Sequence, residues 1–150
     1  MNNNAKKPKI LIVDDNIPNL ELLQAYLEDS DYDIEQAEDG YTAMDMIAAD
    51  KPDLLILDVM MPKISGFEVC KKLKNDPKTA DMPIIMVTAL SEMGDIERAI
   101  DCGTDDFLSK PVNRIELLAR VKTMLRIKDL SDKLERSLEY ISQIEAKLGR

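Results

Sequence analysis

Residues 53–57 read DLLIL and run into Asp58. Four large aliphatic residues follow one another with no polar residue between them. Such a run lacks the period-two alternation of a half-exposed strand, so it predicts a strand covered on both faces. The same texture recurs at Lys9–Val13 (KILIV) and Pro83–Val87 (PIIMV). Between these runs the apolar spacing turns helical. Ile17–Glu28 carries Pro18 in its first turn, where proline is tolerated. Gly40–Ala49 follows, then Gly66–Lys74 with Phe67, Val69, Cys70 and Leu73 on one side, then a short segment at Asp95–Asp101. Weaker strands are predicted at Asp33–Ala37 and Asp106–Leu108, and the pattern is helical from Asn113 onward. Strands that alternate with helices need right-handed crossovers, which make a parallel sheet. The fold class is therefore α/β: a doubly wound, five-stranded parallel sheet over residues 9 to about 125, with a long C-terminal helix.

Composition narrows the chemistry. The 150 residues suffice for one domain with a single core. Lys and Arg number 20 against 29 Asp and Glu, a net charge of −9, so no direct nucleic-acid binding is expected. The chain has no His, which removes Ser-His-Asp triads and His-ligated metals within these residues. Cys70 and Cys102 lie far apart in sequence and form no CxxC pair, which fits a reducing compartment. Residues 1–8 read as a disordered leader; they lack a signal peptide's apolar stretch, and no run reaches the length of a membrane span. A cytoplasmic location without membrane insertion is the expectation. The five glycines, at 40, 66, 94, 103 and 149, form neither a GxGxxG nor a P-loop.

In doubly wound sheets, ligands bind beyond the carboxyl ends of the strands. Those ends carry Asp14 and Asp15, Asp58, Thr88, and the pair Lys110-Pro111. Any one of them has an ordinary explanation: an acidic residue after a strand commonly caps the next helix. Together they converge three carboxylates, one hydroxyl and one ammonium. Crowded carboxylates raise one another's pKa unless a cation offsets them, and an all-oxygen set suits a hard divalent ion such as Mg²⁺. One carboxylate could then attack phosphorus while the metal and Lys110 balance the phosphoryl charge.

The stretches ILIVDDN (10–16), LLILDVMMPKISGFE (54–68), PIIMVTAL (83–90) and GTDDFLSKP (103–111) resemble the receiver domain of response regulators, the phosphoacceptor of two-component signalling. The resemblance spans about residues 9–126 and implies the flavodoxin-like strand order 2-1-3-4-5. It implies Asp58 as phosphoacceptor, and Asp14, Asp15, Asp58 and the Met60 backbone carbonyl as ligands of Mg²⁺, with Mn²⁺ as a substitute. Thr88, Ala89 and Lys110 would surround the phosphoryl group, and Phe107 would be the aromatic switch. The Lys110–Pro111 bond would be cis, and Met61-Pro62 and Gly66 would shape the loop after the acceptor. Met60 and Leu90 would tune phosphoryl lifetime. Phe107 stands where the family more often has Tyr and lacks its hydroxyl. The partner implied is a sensor histidine kinase or a histidine phosphotransfer protein, and the chain would be a switch rather than a turnover enzyme. A haloacid dehalogenase-type phosphatase would carry a second acidic residue two positions after its nucleophile; here that residue is Met60.

A receiver's last helix should stop near residue 125, yet residues 127–150 continue helical. Ile127, Leu130, Leu134, Ile141, Ile144 and Leu148 fit an a/d heptad, with Ser137 as its polar member and Leu138 beside it. Residues 112–150 hold nine Lys/Arg and six Asp/Glu, or +3, which leaves −12 for residues 1–111. Either the helix folds back on the domain, or it is a coiled coil that dimerises receivers or a linker to an output domain outside these residues. A homodimer through this helix, through the face formed by residues 95–125, or through both is the expectation.

Overall fold

The computed structural model describes residues 6–89 and 93–149, with the side chains of 93–96 outside that description. Five strands, β1 (Lys9–Val13), β2 (Asp33–Ala37), β3 (Leu54–Asp58), β4 (Ile84–Thr88) and β5 (Asp106–Ser109), alternate with five helices. The helices are α1 (Ile17–Leu27), α2 (Gly40–Ala49), α3 (Gly66–Lys74), α4 (Met93–Asp101) and α5 (Arg114–Lys147). The sheet order is β2-β1-β3-β4-β5, and every pair is parallel. The fold expected from the aliphatic runs is the fold observed.

Both faces of the central strands are buried because each carries its own core. Leu11, Val13, Leu55, Leu57, Ile84 and Met86 pack against α2, α3 and the end of α4 through Ala43, Ile47, Val69, Cys70, Leu73, Ala99 and Cys102. Their sequence neighbours Ile10, Ile12, Leu54, Ile56, Ile85 and Val87 pack against α1 and α5 through Leu20, Leu23, Leu27, Leu117 and Val121. Successive strand side chains point to opposite faces, so two covered faces demand an unbroken apolar run. The edge strands β2 and β5 are covered less completely and read more polar.

The element ends shift slightly from the sequence expectation. β3 and β4 take in Asp58 and Thr88 as their last residues, because Asp58 still pairs with Val87 in the ladder and Thr88 with Ser109. The fourth helix begins at Met93 rather than Asp95. Of the expected leader, residues 1–5 lie outside the described residues, while the Pro8 carbonyl accepts a bond from Asp33 N–H at 2.9 Å. Asn16, Asp39, Ser65 and Asn113 cap α1, α2, α3 and α5, each accepting from a backbone N–H of the first turn.

Helix α5 corrects the fold-back alternative. It runs unbroken for 34 residues, roughly 51 Å at 1.5 Å per residue. Among the described residues, its first part packs on the domain, through buried Leu117 and Val121 and half-buried Leu118, Met124 and Leu125. The last tie is Lys128, whose ammonium lies 3.2 Å from Asp81, the carboxylate that Lys51 also reaches at 3.2 Å. From residue 133 onward every described residue is exposed. Among the described residues no helix is long and apolar enough to cross a membrane.

Candidate functional site

At the carboxyl edge of the sheet, β1 delivers Asp14 and Asp15, and its neighbour β3 delivers Asp58. One carboxylate oxygen from each of the three lies within 4.8 Å of the others. Asp14 and Asp58 are 2% and 4% exposed, whereas Asp15 is open to solvent. Charged side chains are almost never this buried without a partner. The partner is Lys110, whose Nζ stands 3.0 Å from Asp58 Oδ1 and 3.4 Å from Asp14 Oδ2. Three carboxylates against one ammonium leave a surplus of negative charge when all are ionised. The donor set is all oxygen, anionic and concave, so it fits a hard divalent cation.

The electrostatics follow from this arrangement. Burial pushes the Asp58 carboxyl above the usual aspartate range; Lys110 opposes the shift, and the charges of Asp14 and Asp15 reinforce it. Burial pulls Lys110 down, but the bonds and charges of Asp58 and Asp14 outweigh it and hold the ammonium above the ordinary lysine value.

Backbone contacts hold these groups in place. Asn16 N–H donates to Asp14 Oδ1 at 2.9 Å, so the residue that caps α1 through its side chain also orients the buried carboxylate through its backbone. Lys110 N–H donates to the Thr88 carbonyl at 2.7 Å, tying the ends of β4 and β5 together, and the following Lys110–Pro111 peptide is cis. Behind Asp58 the chain turns sharply: Gly66 N–H donates to the Val59 carbonyl at 2.9 Å. A Cβ on Gly66 would sit 2.2 Å from the Asp58 carbonyl oxygen, so only glycine lets α3 start this close to β3. Lys63 in the same loop adopts φ of 70°, a left-handed conformation unusual for lysine.

Thr88 is buried at the end of β4, beside exposed Ala89. Met60 is exposed at the mouth of the site. Phe107 is half-buried and packs against the same core cluster as Met86, its pair in the β4–β5 ladder. Thr88 stands two residues beyond Met86, so its side chain and that of Phe107 share one face of the sheet. Leu90 lies outside the described residues. The contributions of Asn16 and the Lys63 turn went unread in sequence: an Asn before a helix signals only a cap, and lysine gives no sign of a left-handed backbone.

This combination of sheet order and edge chemistry defines a class, and the comparisons with known proteins agree. The sequence model of the response regulator receiver domain matches residues 10–122. The chain is 45% identical over 126 residues to the response regulator PleD of Caulobacter vibrioides, covering 84% of this chain and 28% of PleD. It is 40% identical over 136 residues to RpaA of Synechocystis sp., a DNA-binding dual master transcriptional regulator, covering 91% of this chain and 56% of RpaA. The crystal structure of the signal receiver domain of a signal transduction histidine kinase from Syntrophus aciditrophicus is similar with a TM-score of 0.76 at 37% identity, over 79% of this chain and 90% of that one.

The chain belongs to the response regulator receiver family. It carries a receiver domain of two-component signalling, a class of module that accepts phosphoryl groups from histidine kinases. It spans 28% and 56% of the lengths of the two curated relatives.

Proposed function

We propose that this chain accepts a phosphoryl group on Asp58 from a histidine of a sensor kinase or phosphotransfer protein, and that the product resets the surface formed by α4, β5 and the start of α5. The observation that carries this reading is the buried Asp58 carboxylate with Lys110 Nζ at 3.0 Å and two further carboxylates beside it. An Asp58 oxygen attacks phosphorus, the P–N bond to the donor imidazole breaks, and its electron pair leaves with the imidazole. Asp58 ends as a mixed carboxylic–phosphoric anhydride. These 150 residues hold no His, so the donor histidine belongs to another polypeptide segment.

Asp14, Asp15, Asp58 and the Met60 carbonyl are the groups that would hold Mg²⁺, or Mn²⁺ in its place. When bound, the ion offsets the negative charge gathered at the phosphoryl oxygens. Lys110 brings a fixed positive charge to those oxygens. The Thr88 hydroxyl donates to one of them once it turns toward Asp58. That movement frees space on the face it shares with Phe107, and the ring follows inward. A local gain of charge thereby biases a two-state surface. Small, exposed Ala89 leaves room over the acceptor. A cavity of about 360 Å³ bordered by Asp14 and Lys110, with Leu22, Leu23, Val87 and Pro111 in its lining, offers the donor a largely apolar shelf beside Lys110. The residue two positions after Asp58 is Met60 rather than an acid, which favours a regulator over a phosphatase of other substrates. Donors of this kind and the lack of a spanning helix among the described residues favour the cytoplasmic side.

The test is intact mass after incubation with acetyl phosphate and Mg²⁺. A single phosphoryl adduct is expected on the unmodified chain and on neither Asp58→Asn nor an EDTA-treated sample. An adduct that survives Asp58→Asn, or no adduct together with no phosphate release, overturns the assignment.

A further inference from the structure

The second half of α5 carries an unusual surface. Ile127, Leu130, Leu134, Leu138, Ile141 and Leu148 are each more than half exposed, and Ile144 is 39% exposed. These side chains are not scattered around the helix. Ile127, Leu134, Ile141 and Leu148 repeat every seven residues, and Leu130, Ser137 and Ile144 repeat every seven beside them. A seven-residue apolar repeat keeps one seam in line only if the helix winds about another helix of the same kind. The seam starts where the domain ends: Lys128, bridged to Asp81, is the last residue tied to the body. Asp81 and Lys51 lie before the starts of β4 and β3, so the seam leaves from the edge of the sheet opposite Asp58.

We infer that residues 127–148 pair with the same segment of a second copy of this chain as a parallel, in-register, two-stranded coiled coil of roughly 33 Å. The heptad repeat selects this occupant, and the charge of the stem permits it. Residues 127–150 hold five Lys/Arg and five Asp/Glu, a net charge of zero, while residues 1–126 carry the whole −9. Two bodies of this charge repel, whereas two stems do not. Charge also selects the direction. In the parallel arrangement the flanking positions pair Arg126 with Ser131, Lys133 with Leu138 and Tyr140 with Glu145 of the second copy, and none of these pairs is like-charged. The antiparallel arrangement sets Arg126 against Lys147 of the second copy twice over, and it places Ser137 on Leu134 instead of on itself. Two of the four a positions, Ile127 and Ile141, are β-branched, a choice that favours two strands over three when Leu occupies d, as at Leu130. Three heptads bury little area for a stable complex, so the association is concentration-dependent.

The experiment uses the whole, unphosphorylated chain, which keeps its outcome separate from the chemistry of Asp58. Sedimentation equilibrium across a hundredfold range of concentration is expected to show a reversible shift from the mass of one chain to the mass of two. The pair Leu134→Lys and Ile141→Lys is expected to weaken dimerisation at least a hundredfold while leaving the circular dichroism of the domain intact. Ser137→Leu is expected to tighten it. Ser137→Cys, oxidised with diamide, is expected to cross-link to its own copy, because in-register pairing brings position 137 face to face within disulfide reach. A chain that stays monomeric at the highest concentration overturns the inference, since the seam would then serve another occupant. So does a dimer that survives both lysines. Cross-linking only between Arg126→Cys and Lys147→Cys chains overturns the parallel direction.

Discussion

The two ends of this molecule break opposite rules. At the carboxyl edge of the sheet, charge is buried: Asp14 and Asp58 are almost without solvent contact, held by one ammonium. Beyond Lys128, hydrocarbon is exposed: a row of Leu and Ile faces water along the last turns of α5. A buried surplus of negative charge is unfavourable until cations offset it. An exposed apolar seam is unfavourable until another surface covers it. Each end is thus incomplete by itself, and the close-packed sheet between them is not. Departures from the ordinary partition of polar and apolar groups mark function better than the fold does.

The comparison can be broken most forcefully at Lys110. Lys110→Ala removes the ammonium that pairs with the buried carboxylates. Breaking a buried ion pair costs about 3–5 kcal/mol, and the partial exposure of Lys110 brings the expected loss to roughly 2 kcal/mol at pH 7. Without the ammonium the Asp58 carboxyl, already raised by burial, loses the charge that opposes the shift and ionises less readily in the folded chain than in the unfolded one. The folded state then holds more protons, so stability rises as pH falls. Urea melts at pH 7 and pH 5 test this: the deficit should shrink at pH 5, and an equal deficit at both values would show that the loss is one of packing.

A smaller effect of opposite sign is expected at Asp58. Burial holds its carboxyl above the usual range, so the folded chain binds that proton more tightly than the unfolded chain and ionisation at pH 7 works against folding. Asp58→Asn should therefore stabilise the metal-free protein by about 1 kcal/mol at pH 7. The gain should fade as pH falls through the raised Asp58 value, where the aspartate is itself protonated. Thermal melts with and without Mg²⁺ sharpen the point, because the ion should raise the melting temperature of the unmodified chain far more than that of the variant.

The smallest effect belongs to the stem. Leu134→Lys, measured by urea unfolding at concentrations where the chain is monomeric, should change stability by less than about 0.5 kcal/mol. A buried leucine such as Leu57 should lose about 2–5 kcal/mol on truncation to Ala. A large loss from Leu134→Lys in the monomer would mean that the seam packs on its own domain.

Much of this was legible in the sequence. The runs ILIV, LLIL and IIMV announced strands covered on both faces, because a residue buried on either side of a strand leaves no place for a polar one. The acids, the threonine and the lysine at the strand ends pointed to one edge of one sheet, because a parallel sheet brings all its carboxyl ends to the same side. The heptad was countable before any coordinates. The starts of α1, α2 and α3 match the sequence reading, whereas α4 starts two residues earlier and β3 and β4 end one residue later, since such ends depend on which backbone bond closes last.

What the linear chain determined, then, was the list of elements, the side of the sheet that carries charge, and the existence of an apolar seam. Only the tertiary structure decided that Lys110 stands 3.0 Å from Asp58 across 52 residues of chain, that Asn16 aims Asp14 through its backbone, and that Gly66 must lack a Cβ because Asp58's own carbonyl occupies that space. It alone decided that α5 runs on past Lys128 instead of turning back. The physical reason is the same in each case. Residue type and spacing fix which face a side chain takes, but distances between groups far apart in sequence are set by how the helices seat on the sheet, and that depends on the whole core packing at once.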